Sequence, residues 1–400
     1  MVEWLIELGR GIGRLFLSPL FYWFFIVLLI AHKSRVKKER RHFGTKIYDI
    51  FYEMKHTWLI SLISGIVLSV IVMVAGVSLS YPVILLLSII TILLSIVGRF
   101  TWLSAAYIFS FTYIVLLVIR TFFTDYVPAA WLEDLQQVDF VSFTTLLGIF
   151  LVIEAIIMMR MRQNHTFPEL VKGNRGKWVG QHRMKKITMI PFFTLIPGGP
   201  IVSFASWWPV FDVNGTSYSL MLVPIIFGFE HVVKGTIPVK AFRTLGNAVL
   251  ILGLITIGIA VTGYYLSVLT LVSAIIAILG REFISYRFRL NDQMKQAFFS
   301  PEPNGLLVLG VIPNTPGESL ELMPGEKIMK VNGRVVTSEQ AFYEALQANS
   351  AYCKLDIRDV RGELRFAQRA IYQGEHHELG ILFAKEHYRN NDLKSRKKAQ

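Results

Sequence analysis

The chain has 400 residues, of which 53% are hydrophobic and only 17% charged, and its mean hydropathy is +0.48. A soluble chain carries roughly 25% charged residues, so there is too little charge to cover a water-facing surface of this size, and a purely soluble enzyme or nucleic-acid binder is excluded. The net charge of +13 is large for so few charges, and the single cysteine, Cys353, excludes an internal disulfide and a cysteine-rich zinc site.

Hydrophobic segments fall at 15–31, 59–79, 82–98, 102–119, 141–159, 187–208, 218–230, 245–263 and 265–280. This predicts a polytopic α-helical membrane protein with about eight or nine hydrophobic segments over 1–280, since a spanning helix needs about 20 residues. Ahead of them, Trp4, Leu5, Leu8 and Ile12 recur at helical spacing, as in a helix lying at the membrane interface. The first segment is followed by His32-Lys33-Ser34-Arg35 rather than a small-residue cleavage site, so it reads as an anchor and not a signal peptide. Segment 187–208 contains Pro191, Pro197, Gly198, Gly199 and Pro200, and 218–230 is short. With straight helices disfavoured there, the pair reads as two broken spans or as one re-entrant hairpin.

The basic residues set the expected orientation. Loops 32–57 and 160–186 hold sixteen of the 41 lysines and arginines against four acids, so most of the net charge is a topology signal. Loops 120–140 and 209–219 are acidic or neutral. By the positive-inside rule the basic stretches, including 231–243 and 281–299, are cytoplasmic. Trp58, Trp102, Trp207 and Trp208 sit at segment ends, as in an aromatic belt. Glu154 is an intramembrane acid lying six residues before Arg160, about 9 Å along a helix. It reads as a packing residue that pairs or snorkels there, and less readily as a proton or ion site. The triplet Asn214-Gly215-Thr216 reads as a turn between spans.

Composition changes at Ser300-Pro301-Glu302-Pro303, which divides the chain into 1–280 (membrane helices), 281–300 (linker), 301–385 (a small α+β or β-barrel domain) and 386–400 (a basic tail). In 301–385, strands are expected at 306–312, 327–331, 334–336, 354–360, 364–367 and 379–383. Asn332-Gly333 is a tight turn. Thr337 is expected to cap a helix with Gln340 as its capping-box partner, and Phe342, Ala345 and Leu346 face the core. The tail reads as a solvated end, with contact to anionic lipid headgroups, at about 1 kcal/mol per basic residue, as the sharper alternative.

No His-Glu-x-x-His motif, P-loop or dinucleotide fingerprint occurs, so no catalytic set, cofactor or metal site is expected and the chain is not read as an enzyme.

Val311-Ile312-Pro313-Asn314-Thr315-Pro316, followed by Leu322-Met323-Pro324-Gly325-Glu326-Lys327-Ile328-Met329-Lys330-Val331-Asn332-Gly333, resembles a bacterial PDZ domain. Glu326 stands where such domains carry Asp, and the usual Ala-Gly before the leucine is missing. The resemblance implies a peptide-binding module in which an apolar-Gly-apolar strand start receives a peptide carboxylate and the peptide adds as a strand. Leu379-Gly380-Ile381 fits that role, with Leu382, Phe383, Phe342 and Leu346 walling the groove. The plainer reading is the last strand of the barrel.

The whole plan resembles the MinJ family, membrane proteins of the Min division-site system in Gram-positive rods. Leu17-Ser18-Pro19-Leu20-Phe21-Tyr22-Trp23-Phe24-Phe25-Ile26, then Arg35-Val36-Lys37-Lys38-Glu39-Arg40, and many spans before one C-terminal PDZ domain carry the likeness. It implies a non-enzymatic scaffold at poles and septa that bridges a DivIVA-like protein to a MinD-like ATPase, with membrane lipids and other divisome proteins as further partners. The alternatives are a membrane regulator or transporter with a PDZ sensor, or an inactive relative of PDZ-bearing membrane proteases.

Overall fold

The computed structural model describes residues 2–126, 128–173, 176–202, 208, 217–349, 352–370 and 379–384. The basic tail, Trp207 and the Asn214-Gly215-Thr216 triplet lie outside the described residues. The helical part comprises α1 (Val2–Leu15), α2 (Pro19–Phe43), α3 (Trp58–Ala75), α4 (Tyr81–Ile96), α5 (Ala105–Phe122), α6 (Ala129–Gln136) and α7 (Phe140–Met159). After β1 (Phe167–Lys172), β2 (Trp178–Val202) and β3 (Ser217–Val233) come α8 (Pro238–Thr262) and α9 (Val268–Gln293). Among the described residues six helices, α2, α3, α5, α7, α8 and α9, are long and apolar enough to cross a membrane, and α4 is a shorter apolar helix of 16 residues.

Segments 187–208 and 218–230 are therefore not helical spans. The described parts lie in two long antiparallel strands, with Ile187 opposite Gly228 and Pro197 opposite Tyr218. The ten steps from Ile187 to Pro197, at about 3.3 Å each, cover roughly 33 Å, close to the ~30 Å hydrocarbon core. An apolar milieu tolerates no bare sheet edge, and both edges here are dressed. On β2 the outward groups are those of 187, 193 and 195: Ile187 N donates to Glu53 O (3.3 Å), Phe193 N to Ser69 Oγ (2.8 Å), and Leu195 O accepts from Leu79 N (2.9 Å). Pro191 shares their parity, so its missing N–H is one that would have pointed at α3. Its register partner Pro224 does the same on the other edge. The prolines expected to break a helix instead mark strand edges. Gly65 of α3 lets that helix rest on the strand, because a Cβ there would overlap the Pro191 carbonyl.

The outer edge of β3 is closed by α1. Leu220 N donates to Glu7 Oε2 (3.4 Å), and the Arg14 guanidinium donates to Leu220 O. Glu7 also pairs with Arg10 (2.8 Å) and Arg14 (3.2 Å), so its buried carboxylate is neutralised where it sits.

The stretches read as basic loops are largely regular structure. Helix α2 continues through the basic residues to Phe43, Arg183, Lys185 and Lys186 lie on β2, and α9 runs to Gln293, past the boundary expected at 280. Arg281 and Ser285 are buried in that helix rather than placed in a linker.

The C-terminal β domain contains β4 (Leu306–Val311), α10 (Pro316–Ser319), β5 (Lys327–Val331), β6 (Arg334–Val335), α11 (Glu339–Gln347), β7 (Tyr352–Arg358), β8 (Leu364–Ala370) and β9 (Ile381–Phe383). The strands run in the order β8-β7-β5-β4-β9, with β6 paired to β5 through Asn332-Gly333, whose φ values of 50° and 82° suit a hairpin turn. Ser338, not Thr337, caps α11, accepting from Ala341 N at 3.1 Å. The core is Val308, Ile328, Val331, Phe342, Leu346, Cys353, Leu355 and Ile357 with their neighbours. Glu326 takes two bonds from Arg365 (2.8 and 2.7 Å) and one from Met323 N (2.9 Å), tying the turn before β5 to β8.

Candidate functional site

Leu379-Gly380 enters β9 on a backbone held from the side. Gly317 N donates to Leu379 O (2.7 Å) and Ile312 N to Gly380 O (2.8 Å). Gly380 has φ +72°, and a Cβ on it would run into the Thr315 side chain, so only glycine suits the position. Strand β9 then pairs with β4, Ile381 opposite Val311 and Phe383 opposite Val308.

The side chains named from the sequence are brought together, but inward. Phe342 and Leu346 are 0% exposed, and Leu379, Ile381 and Phe383 pack with them, the Phe342 and Phe383 rings lying edge to face at 5.4 Å. They form the core behind β9. Leu382 faces the other way and joins Ile47, Tyr48, Tyr52 and Phe167 in a cluster that docks the β domain onto the membrane part. A second contact runs through Leu170, Phe299, Leu307 and Leu309, with Gly180 N donating to Phe299 O at 2.8 Å.

That junction is organised by charges the sequence reading passed over as topology signals. Arg35 is buried and donates to Glu53 (2.8 Å), Glu39 (2.6 Å) and the carbonyls of Tyr48 (3.2 Å) and Asp49 (2.8 Å). Glu39 also accepts from Ile47 N (2.9 Å), so one arginine and two carboxylates shape the segment that receives Leu382. Further along β1, Glu169 accepts from Arg183 (2.7 and 3.0 Å) and Gln181 (2.9 Å), and despite burial these bonds and charges hold its carboxyl down at about 2. His56 and His165 stack at 3.9 Å, and His182 lies 4.5 Å from the Phe299 ring. Burial first, then Lys186 and neighbouring cations, lowers His56 to about 4; burial, then His56 and Lys186, lowers His165 to about 3; burial lowers His182 to about 3. All three are neutral at pH 7. The spacing of single histidines gave no hint of this cluster.

Glu154 is met by Arg281, not by Arg160. Its Oε1 accepts from Arg281 Nη2 at 3.0 Å, and its Oε2 from Ser104 Oγ (2.6 Å) and Ala105 N (3.2 Å). Arg281 completes its set with Ser104 Oγ (3.2 Å) and Ser285 Oγ (3.0 Å). The network joins α7, α9 and the start of α5 in a site where both charges are 2% exposed or less. Every partner is a fixed protein group, so the arrangement can hold three helices in register. No cluster of three or more metal-ligating side chains occurs among the described residues.

No family model matches the chain. It is similar along nearly its whole length to the Bacillus subtilis (strain 168) protein named "Cell division topological determinant MinJ", with 40% identity over 388 residues, covering 96% of this chain and 97% of that one. Two proteins named "Probable cell division topological determinant MinJ", from Lacticaseibacillus paracasei and Lacticaseibacillus casei (strain BD-II), are each 41% identical over 83 residues, 20% of this chain and 23% of theirs.

Proposed function

The chain belongs to the MinJ family of cell division topological determinants, and from that membership we propose that it is a non-enzymatic scaffold of division-site selection, anchored by several membrane crossings at poles and septa. The observation that carries this reading is the 40% identity sustained over both the helical part and the β domain. The partners we assign are a DivIVA-like protein that marks curved membrane and a MinD-like ATPase, bridged so that division is kept off the poles. Other divisome proteins and membrane lipids complete the set. The basic residues at the ends of α2, β2 and α9 support a cytoplasmic β domain under the positive-inside rule.

We read the β domain as a PDZ module. What supports it is the strand order, the Asn332-Gly333 hairpin and β9 as the end strand of the sheet among the described residues. A peptide would add along β9, its carboxylate near the Leu379-Gly380-Ile381 backbone, over a core that includes Phe342, Leu346 and Phe383. The closed partner set of Glu154 favours helix packing over ion movement for that residue.

The test is a fluorescent fusion of the full chain together with a deletion strain. Signal at septa and poles, with minicells or filaments on deletion, is the expected result. Uniform membrane fluorescence with normal division overturns the assignment. A variant lacking 301–400 that still localises and divides normally overturns the role given to the β domain.

A further inference from the structure

A crevice of about 370 Å³ runs between α2, the end of α4 and the base of the β1-β2-β3 sheet. One end is apolar, formed by Trp23, Val27, Ile30 and Ile96, with Trp23 Nε1 bonded to Ser95 Oγ at 2.7 Å. Ile30 and Ile96 are 56% and 65% exposed, so this end opens sideways onto the surface that α2 and α4 turn toward lipid. The other end is charged, with four cations against the three carboxylates Glu39, Glu169 and Glu230, a net excess of one positive charge. Lys185 is 94% buried, lines the crevice and holds its ammonium 3.8 Å from the centre of the Phe100 ring. Among the described residues no carboxylate lies within 4 Å of it, and Glu230, opposite in register, is engaged by Arg183. Lys38 stands at the mouth, 3.5 Å from Glu169, whose charge is already met by Arg183.

A buried ammonium without a counter-anion is costly, and its position beside the basic end of α2 is where a lipid phosphate lies. We propose that this crevice binds one anionic phospholipid, its phosphate on Lys185 with Lys38 at the mouth and an acyl chain along Trp23, Val27 and Ile30. From Trp23 to Lys38 is fifteen residues of helix, about 22 Å, longer than the ~15 Å of one leaflet's hydrocarbon. The crevice therefore takes a headgroup and a chain together, and the lateral opening selects a bilayer lipid over a soluble anion. Anchoring a charged headgroup between α2 and β2 ties the lipid to the junction that seats the β domain, because Arg35 and Phe167 line both.

The experiment is native mass spectrometry of the full chain, delipidated in mild detergent and titrated with dioleoylphosphatidylglycerol, dioleoylphosphatidylcholine or inorganic phosphate. One phosphatidylglycerol should be retained per chain, with phosphatidylcholine about tenfold weaker, because it has the same phosphate but its choline cation would sit against Lys38 at the mouth. Lys185→Met removes the ammonium without disturbing the apolar stem, and Ser34→Trp fills the crevice from an exposed position; each should lower retention about tenfold. Lys37→Gln, exposed and outside the crevice, should leave it unchanged. Equal retention of the two lipids, or unchanged retention in both Lys185→Met and Ser34→Trp, overturns the proposal. Inorganic phosphate that displaces phosphatidylglycerol from the wild-type chain overturns it in favour of a free-anion site.

Discussion

Removing either member of the Glu154–Arg281 pair should be far worse than removing both. In Arg281→Met the carboxylate keeps only Ser104 Oγ and Ala105 N, in a site that is 2% exposed. In Glu154→Leu the guanidinium keeps Ser104 and Ser285 and gains no anion. Stranding one buried charge costs about 3–5 kcal/mol, whereas exchanging a whole pair for apolar side chains is often neutral. The single variants together therefore predict a loss of roughly 6–10 kcal/mol, and the double variant should lose less than about 2. The assay is equilibrium unfolding of the detergent-purified full chain in increasing dodecyl sulfate, followed by far-ultraviolet circular dichroism. A double variant destabilised as much as the two singles summed would show that the charges do not act as a pair and would refute the reasoning.

Gly65→Val should displace α3 from Pro191 and lower stability by at least about 2 kcal/mol through overpacking, while Gly258→Ala, where a Cβ meets nothing within 4 Å, should not destabilise and by helix propensity should add about 0.5–1 kcal/mol; the same denaturant titration reads both. Gly380→Ala forces an alanine to φ +72° against Thr315 and should destabilise the β domain by about 1–3 kcal/mol, read as earlier thermal unfolding. A substitution there thus alters the fold as well as any peptide site. The lowered pKa values of His56, His165 and His182 mean that the unfolded or undocked chain binds protons the folded one refuses. Stability of the junction is fully present above the ordinary histidine value near 6.5 and is lost as pH falls toward about 4 and then 3. Limited proteolysis around 300–305 should quicken below about pH 6; an unchanged rate between pH 7 and 5 contradicts it.

The β domain was legible because its signals are local. Lys327–Val331 is the strand read from alternation, and Asn332-Gly333 adopts the positive φ values that the dipeptide favours. Phe342, Ala345 and Leu346 face the core as helical spacing predicts. The β2–β3 hairpin was not legible as strands. It is packed on both faces, so alternation of polar and apolar residues is absent, and a continuous apolar run cannot be told from a buried helix by period alone. Its prolines looked like helix breakers because their value depends on which edge their missing N–H faces. Arg281 was invisible as the partner of Glu154 for a different reason: 127 positions separate them, and a charge near the end of an apolar segment resembles a flanking anchor. Phe342, Leu346, Leu379, Ile381 and Phe383 do pack together, but as the core behind β9 rather than as exposed walls.

The dependence of β3 on α1 separates the order of synthesis from the order of assembly. Glu7 and Arg14 emerge long before the strand they bind, which lies 213 and 206 positions later. At roughly 5–20 residues per second, the ribosome takes about 10–40 s to deliver Leu220. Through that interval α1 has no sheet edge to cover, and its charged face must stay in water while its apolar face rests on the membrane surface. Helix α1, made well before the hairpin, is thus fixed only after it, and closes the membrane part once the hairpin has entered.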